Sequence, residues 1–391
     1  MAFLSAFLSC ILLLSLSLSS SSSSSQFADG CYTSIFAFGD SLTDTGNYLS
    51  LCLKGLQTYE RFPHAGLPPY GETFFGNPTG RYSDGRLVLD FIAEHYGLPH
   101  VQPYFGGENL NLEAGVNFAV AGVPALDVDF HEERGIHFRN NISMRTQLKW
   151  FTDLLPSLCK NSSCKEIFER SLVVFGPFGG DDYGNVFFQK SVEESLEDAQ
   201  SLQPLIVDAI TSAIEELIEL GVVNLMVPGM LADGCLAITL SFFYTSYNAH
   251  DYDPETGCLT LLNKFDENHN NLLQAALVGI RERHPHVSIV YADYYNASLQ
   301  LYRSSEKFGF IKRPLKACCG GGGPYNYNSS VPCGYSPSQA CVDPSSYINW
   351  DGAHLTEAAY KWISKAVLNG HFTIPRINSL CNLPYEKKAY V

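Results

Sequence analysis

The segment SIFAFGDSL, residues 34–42, joins a short apolar run to a serine. The run Ser34–Phe38 has the length and composition of a strand that is buried on both faces of a parallel sheet. Gly39 allows the chain to turn sharply where this strand ends. Ser41 is therefore predicted at the carboxyl edge of the sheet, where folds of this type place their functional sites.

Apolar runs and helical patterns alternate along the rest of the chain. The runs that resemble further strands are Leu172–Phe175, Val223–Val227 and Val287–Tyr291. Apolar residues recur at helical spacing in Ser201–Leu220, Lys264–Arg283 and Thr356–Leu368. Strands that alternate with helices predict a parallel sheet with crossovers on both sides. We therefore expect a single α/β domain, a three-layer α/β/α sandwich with a central parallel sheet and long loop insertions.

Two stretches do not fit the alternating pattern and are predicted to be insertions. Leu51–Tyr82 is rich in Pro, Gly and aromatic residues, and it predicts irregular surface that forms one wall of a cleft. Cys318–Pro344 predicts irregular surface as well, and it contains the glycine run 320–323. That run lacks the Gly-Lys-Ser/Thr ending and the following helix of a phosphate-binding loop.

The overall composition excludes several classes of partner. The chain has 391 residues, of which 46% are hydrophobic and 17% charged, and its formal net charge is -15. This composition is typical of a globular protein rather than a disordered one. A strongly negative chain repels nucleic acid and anionic membranes, so we expect no nucleic-acid partner. The sequence does not predict an oligomeric state.

The amino terminus predicts export. Residues 1–18 are mostly apolar without a charged side chain, and a serine tract follows at 19–25. This is the pattern of a cleaved secretory signal peptide at 1–25, with an uncleaved membrane anchor as the alternative. The mature domain would then be 26–391. No later stretch reaches the ~18 consecutive apolar residues of a membrane span, so stable membrane insertion is not expected.

Cysteines and glycosylation sequons agree with an oxidising compartment. Twelve cysteines are present, and removing Cys10 of the signal leaves an odd number, so at least one thiol stays unpaired. Plausible pairs are Cys159 with Cys164, Cys235 with Cys258, and a set whose connectivity stays open among Cys318, Cys319, Cys333 and Cys341. Predicted glycosylation sites are Asn141, Asn161, Asn296 and Asn328, each of which begins an Asn-x-Ser sequon.

A serine nucleophile needs a base, and the sequence offers one near its other end. Asp351 and His354 are three residues apart, so one turn of helix would place both on the same side. The carboxylate can then hold the imidazole in the tautomer that accepts the Ser41 proton. A lone serine or a lone Asp-x-x-His motif arises easily by chance, so neither is specific by itself.

Four sequence blocks together resemble the plant branch of the GDSL esterase/lipases, a subgroup of the SGNH hydrolases. They are FAFGDSLTDTGN at 36–47, GVNFAVAG at 115–122, GGDDY at 179–183 and DGAHLT at 351–356. The resemblance implies a flavodoxin-like fold, with Ser41 as nucleophile, His354 as base and Asp351 orienting it. It also implies an oxyanion hole lined by the backbone amides of Ser41 and Gly122. Neither a metal nor another cofactor is required by this chemistry.

The third block departs from the family pattern. It usually reads Gly-x-Asn-Asp, and the asparagine side chain donates to the oxyanion; here Asp181 stands at that position. An ionised carboxylate cannot donate and would repel the developing negative charge. Three interpretations stay open. Asp181 is protonated and still donates, it is turned away, or it has a different task, such as recognising a cationic group of the substrate.

Three functions follow from these residues. The leading prediction is hydrolysis of a small carboxylic ester through an acyl-Ser41 intermediate. Acyl transfer to an alcohol would use the same intermediate, and a catalytically weakened binding protein would explain Asp181. The segments 242–248 and 251–258 resemble the branch with alkaloid acetylesterases and choline-ester hydrolases. That branch suggests an acetyl or phenolic ester of a plant specialised metabolite, and a protein of the apoplast or the vacuole.

The sequence predicts no catalytic role for the other polar residues. Asp233 follows an apparent strand end, where a turn-forming role is as plausible as a place in the cleft. Asp182 is expected to support the turn after its strand. The spacings of several histidines fit no metal site, and solvated positions are expected for His131, His137, His269, His284 and His286.

Overall fold

The structure is a computed structural model that describes residues 31–57, 61–107, 110–189, 192–311 and 314–377. The predicted signal peptide at 1–25 lies outside the described residues. Its cleavage, and the start of the mature domain at residue 26, therefore stay predictions.

Short strands and longer helices alternate through the described residues. The strands are β1 (Ser34–Phe38), β2 (Ser171–Phe175), β3 (Asn224–Pro228), β4 (Ser288–Ala292), β5 (Cys319–Gly320), β6 (Gln339–Ala340) and β7 (Thr373–Ile374). The helices are α1 (Asn47–Leu53), α2 (Val88–His95), α3 (Val128–Glu132), α4 (Met144–Leu158), α5 (Cys164–Glu169), α6 (Gly180–Gln189), α7 (Val192–Glu219), α8 (Ala237–Phe242), α9 (Thr260–Arg283), α10 (Tyr294–Arg303) and α11 (Glu357–Leu368). The four predicted strands correspond to β1–β4, and the three predicted helices lie within or overlap α7, α9 and α11.

The main sheet has the order β1-β2-β3-β4-β7, in which the first four strands are parallel and β7 is antiparallel to β4. An extended segment at 116–120 continues the sheet beyond β1, because the Phe118 amide donates to Ala37 and the Val120 amide to Gly39. Ala37 and Asn117 form a parallel bridge. Counting this segment as the second strand gives the order 2-1-3-4-5, which is that of a flavodoxin-like sheet.

Alternate side chains of the strands pack into two cores, one on each face of the sheet. Phe36 and Phe38 belong to the core that also contains residues of α4, α7 and α9. Ile35 and Ala37 belong to the second core, with residues of α2, α10 and α11. These side chains are buried on both faces, which explains why the strands are continuous apolar runs. The predicted three-layer α/β/α sandwich is confirmed.

The insertion at Leu51–Tyr82 differs from the prediction of irregular surface. Tyr70 is 0% exposed and Tyr82 is 6% exposed, and both pack with Trp350 in a small separate core. Arg81 is buried as well and forms a bidentate ion pair with Asp90. Its Nε and Nη2 atoms each donate to one carboxylate oxygen at 2.8 Å. Tyr70 and Tyr82 therefore face the protein interior, whereas Phe74 of the same insertion is exposed.

Disulfides close the loops that the sequence suggested. The pairs Cys159–Cys164 and Cys235–Cys258 are present as predicted. Within the second insertion, Cys318 is joined to Cys341 and Cys319 to Cys333, which resolves the connectivity that stayed open. Cys52 is buried as a free thiol. None of the helices in the described ranges is long and apolar enough to span a membrane.

Candidate active site

A tight turn after β1 presents the candidate nucleophile. Gly39 has a φ of 146°, and a side chain at this position would collide with the carbonyl oxygen of Gly176. The buried Gln147 of α4 accepts from the Gly39 amide at 3.0 Å and donates to its carbonyl at 2.8 Å. Ser41 follows this fixed turn and remains partly exposed.

Hydrogen bonds link Ser41 to His354 and His354 to Asp351, although residues 351–354 form a bend and not the turn of helix that the sequence predicted. His354 Nε2 lies 2.8 Å from Ser41 Oγ. His354 Nδ1 lies 2.9 Å from both Asp351 Oδ1 and Asp351 Oδ2. If Nδ1 carries the proton that it shares with the carboxylate, Nε2 is free to accept from the serine hydroxyl. This arrangement can transfer the serine proton to the imidazole.

Several donors keep the Asp351 carboxylate charged. Its Oδ1 accepts from the amides of Ala353 and His354 at 3.1 and 3.0 Å, and its Oδ2 accepts from the Tyr70 hydroxyl at 2.6 Å. Burial would by itself raise the pKa of Asp351. The charge and hydrogen bond of His354, followed by His64 and the Tyr70 hydroxyl, instead hold this pKa well below its usual range.

Buried polar residues join the first sequence block to the second. Asp44 Oδ2 accepts from the Ala121 amide at 2.9 Å, directly before Gly122. The Asn47 side chain donates to the carbonyl of Asn117 at 2.8 Å. Because these side chains are buried and bonded to backbone groups, they fix the segment that carries Gly122 against the segment that carries Ser41.

The amides of Ser41 and Gly122 are both available to a ligand. Within the described ranges, neither amide donates to a protein acceptor. Gly122 has a φ of 78°, in the left-handed region that favours glycine. Backbone amides without a protein acceptor can donate to a negatively charged oxygen of a ligand.

Asp181 lies in the first turn of α6 and is partly buried. Among the described residues, none donates a hydrogen bond to its carboxyl group. Burial, and then the charge of the neighbouring Asp182 carboxylate, raises the pKa of Asp181 to about 7. His354 and Arg139 act in the opposite direction. Asp181 is thus electrostatically coupled to the predicted base.

Asp181 belongs to a group of four carboxyls, which we call the carboxyl cluster: Asp40, Asp181, Asp233 and Asp266. Burial, and then the charge of Asp181, raises the pKa of Asp233 to about 7. The pKa values of Asp40 and Asp266 also rise well above their usual range, through burial and then through the other acids. Because like charges at close range resist ionisation, the cluster retains protons near neutral pH. Asp233 therefore belongs to the site's electrostatic surroundings.

Asp182 has a structural role, but it holds the chain after Gly122 and not, as the sequence suggested, the turn after its own strand. Its carboxylate accepts from the amides of Ala125 and Leu126 at 2.7 and 3.2 Å, and it lies 2.8 Å from His131 Nε2. All three contacts anchor the chain that follows Gly122. Asp182 therefore has three hydrogen-bond donors, and its contacts connect α6 to the chain that follows Gly122.

The prediction of solvated histidines is wrong for two of the five. His131 and His269 are each 0% exposed, the first beside Asp182 and the second 2.8 Å from the Tyr183 hydroxyl. Their partners are distant in sequence, so local polarity could not reveal their burial. His137 and His286 are exposed, as expected, and His284 is half-buried.

The predicted glycosylation sites are all exposed. Asn141, Asn161, Asn296 and Asn328 lie on the surface of the described structure. Glycosylation requires an accessible asparagine, so the structure permits modification at each of them, which stays a prediction. Among the described residues, no group of three or more His, Cys, Asp or Glu side chains is arranged to hold a metal ion.

Comparison with known proteins identifies the family. The model of the GDSL-like lipase/acylhydrolase family matches residues 35–367. The chain belongs to this family. A GDSL esterase/lipase of Arabidopsis thaliana is 49% identical over 352 residues, covering 90% of this chain and 88% of its own length. A sinapine esterase of Brassica napus is 48% identical over 353 residues, with the same coverage of 90% and 88%.

The family confirms the class of enzyme and the resemblance from which it was predicted. This GDSL protein is a carboxylic ester hydrolase by family, and its sheet and helices form the expected α/β fold. Its disulfides, like those of other proteins of the secretory pathway, require an oxidising compartment. The substrate and the residue roles are questions for the site itself.

Proposed function

We propose that this protein is a secreted serine esterase that hydrolyses a small carboxylic ester through an acyl-Ser41 intermediate. The observation that carries the proposal is the continuous set of contacts from Ser41 Oγ through His354 to Asp351, with distances of 2.8 and 2.9 Å. Serine alone is a weak nucleophile, and an adjacent imidazole oriented by a carboxylate activates it. Secretion is supported by the signal-like residues 1–25, and either the apoplast or the vacuole fits.

The reaction proceeds in two halves. Ser41 Oγ attacks the ester carbonyl while His354 Nε2 takes the hydroxyl proton, and Asp351 stabilises the resulting imidazolium. The tetrahedral intermediate collapses, the carbon–oxygen bond to the alcohol breaks, and His354 gives its proton to the departing alcohol. Water then attacks the acyl-serine with His354 again as base. The carboxylic acid leaves, and Ser41 recovers its proton.

The oxyanion is proposed to bind the amides of Ser41 and Gly122 together with a neutral Asp181. A protonated carboxyl group has one O–H donor, so it can replace the amide donor of the family's asparagine. The surroundings of Asp181 support this assignment, because burial and the adjacent Asp182 carboxylate favour its neutral form near pH 7. A carboxylic acid held neutral by its surroundings can stabilise an oxyanion.

The proposed substrate is an acetyl or phenolic ester of a plant metabolite. The centroids of the Tyr82 and His354 rings are 4.6 Å apart. Tyr327 also lies near this site, since burial and then the charge of Asp351 raise its pKa. Aromatic walls of this kind can pack against a flat acyl or alcohol group. The similarity to a sinapine esterase supports an ester of a plant metabolite.

The first experiment compares secreted wild-type protein with Ser41→Ala, using a fluorophosphonate serine probe and 4-nitrophenyl acetate. We expect the wild type to be labelled and to hydrolyse the ester, and Ser41→Ala to do neither. An added alcohol acceptor, with product analysis, separates hydrolysis from acyl transfer. Folded wild-type protein that is neither labelled nor active would overturn the proposal in favour of a binding protein.

A further inference from the structure

The least expected contact of the triad comes from the first insertion. Tyr70 is 0% exposed, and its hydroxyl donates to Asp351 Oδ2 at 2.6 Å. The two residues are 281 positions apart in the sequence. A short hydrogen bond from a buried phenol to a carboxylate is charge-assisted and stronger than a neutral one. Its geometry defines where the Asp351 carboxylate points.

Both oxygens of Asp351 are held by separate parts of the chain. The amides of Ala353 and His354 bind Oδ1 from within the same turn. The Tyr70 hydroxyl binds Oδ2 from the insertion, so rotation of the carboxylate about its bond to Cβ would break at least one set of bonds. This matters because the imidazole Nδ1 lies 2.9 Å from each oxygen and takes its orientation from them.

The chain directly after the insertion is attached to the helix that follows His354. Asp84 Oδ1 accepts from the Glu357 amide at 2.7 Å, and Arg86 pairs with the Glu357 carboxylate at 2.7 Å. The Tyr70 ring packs edge-on against Trp350, with ring centroids 5.6 Å apart. The position of the hydroxyl is therefore determined by tertiary contacts on both sides of Tyr70.

We propose that Tyr70 is a positioning residue that acts as a fourth member of the Ser41–His354–Asp351 relay. The hydroxyl fixes the carboxylate and withdraws part of its negative charge, which limits how strongly Asp351 stabilises the imidazolium of His354. Tyr70 thus tunes the base without contacting the substrate. This inference rests on the proposed function, since it assumes that the relay activates Ser41.

Other titratable and charged groups also face Asp351 and His354. They belong to several elements and are His64, Tyr82, Asp181, Tyr327 and Tyr360, and the charge of Arg139 acts on the first four of them. None of them has a hydrogen bond to the Asp351 carboxylate, so Tyr70 differs from them by direct contact. The following experiment uses this difference.

The test is Tyr70→Phe, with Tyr302→Phe as the matched control. Tyr302 is another buried tyrosine, but its hydroxyl donates to Asn349 at 2.8 Å and does not contact the triad. For Tyr70→Phe we expect kcat to fall about tenfold with KM little changed, because one charge-assisted hydrogen bond is lost. The acid limb of the kcat/KM profile should move to higher pH, since the carboxylate keeps more charge to stabilise the imidazolium.

Tyr302→Phe should leave the acid limb where it is in the wild type. Because Tyr70→Phe could fail to fold, a second protein carries 3-fluorotyrosine at position 70. This residue keeps the hydroxyl and makes it a stronger donor, so the acid limb should move to lower pH. A wild-type pH profile in both altered proteins, or equal shifts in the Tyr302 control, would overturn the proposal. An unlabelled, inactive wild type would instead contradict the esterase function itself.

Discussion

Asp351 and Asp181 belong to the same site, yet their surroundings favour opposite charge states. Asp351 has two amides, a phenol and an imidazole as partners, and its pKa is held low. Asp181 has no donor among the described residues, so burial, and then the charge of Asp182, raises its pKa to about 7. The contrast shows that donors, rather than burial alone, decide which carboxyl of this site is ionised.

A third acid strengthens the comparison. Asp182 follows Asp181 directly, but three donors saturate its carboxylate. Neighbours in sequence on one helix thus have different hydrogen-bonding environments. One serves as a fixed acceptor that holds the second block, and the other is left with a free carboxyl group beside His354. The predictions below test this difference, from the largest expected effect to the smallest.

The largest effect is expected from Asp351→Asn. An asparagine favours the wrong imidazole tautomer, because its amide can donate to Nδ1, and kcat should fall by about 10⁴-fold. Steady-state hydrolysis of 4-nitrophenyl acetate measures the loss, and Asp153→Asn, at an exposed position of α4, is the control. A folded Asp351→Asn protein with near-normal kcat would show that the ionised carboxylate is not required.

Asp181→Asn is the same chemical change, but it is expected to raise kcat at alkaline pH instead of lowering it. With a pKa of about 7, only about 1% of Asp181 is protonated at pH 9, whereas asparagine donates at every pH. One oxyanion donor contributes about 10²- to 10³-fold to kcat. Asp181→Asn should therefore match the wild type at pH 6 and exceed it by up to about 10²-fold at pH 9.

The pH–rate profiles of the wild type and of Asp181→Asn test whether Asp181 acts as a donor. Asp208→Asn, at an exposed position, is the control. Wild-type activity should decline as pH rises through about 7, and the variant should lack this decline. A fall in activity at all pH values in Asp181→Asn would contradict the donor role. It would show that the carboxyl group has its own task, such as binding a cationic substrate.

The carboxyl cluster also predicts how stability depends on pH. Asp181 and Asp233 bind protons more tightly in the folded state, because their pKa values of about 7 exceed the usual value of 3.8. Their stabilising contribution is present below pH 4 and is lost as pH rises through 7. In this range the free energy of unfolding should fall by about 1.4 kcal/mol per pH unit for each extra proton.

Urea unfolding at pH 4.5, 6 and 7.5 measures this slope. The double variant Asp181→Asn/Asp233→Asn removes two of the four acids, and its slope should be flatter than that of the wild type. Other titrating groups are common to both proteins, so the difference between the slopes isolates the cluster. Equal slopes would mean that these two carboxyls titrate alike in the folded and unfolded chains.

The sequence was sufficient to predict the layers of the fold and to single out the residues of the proposed triad. Buried strands such as Ser34–Phe38 are continuous apolar runs, so their identity follows from composition. Ser41 and the pair Asp351 and His354 were found from local motifs and their resemblance to a family. In each case the relevant signal lies within a few residues of the functional group.

What the sequence did not reveal depends on contacts between distant residues. Tyr70 is part of an insertion without periodic pattern, and its partner Asp351 is 281 positions away. The edge segment 116–120 is too irregular to be recognised as a strand, although it completes the flavodoxin-like order. The burial that raises the pKa of Asp181 exists only in the folded chain, so its departure from asparagine could be noticed but not interpreted.

The smallest effect is expected from a change at His131, which contacts Asp182 but not Asp181. His131→Phe removes one of three donors to Asp182 and leaves the amides of Ala125 and Leu126 in place. Because two donors remain, the loss of stability should be about 1 kcal/mol, at the low end for a buried acceptor that loses a partner. Urea unfolding measures it, and the exposed His137→Phe is the control.

His131→Phe also tests whether Asp181 and Asp182 have separate roles. If Asp182 only anchors the chain after Gly122, His131→Phe should reduce kcat less than tenfold and leave the decline near pH 7 unchanged. A shifted decline would mean that the donors of Asp182 also control the proton on Asp181. The adjacent acids would then have to be treated as one titrating unit, because a change in the charge on Asp182 would be felt directly by Asp181.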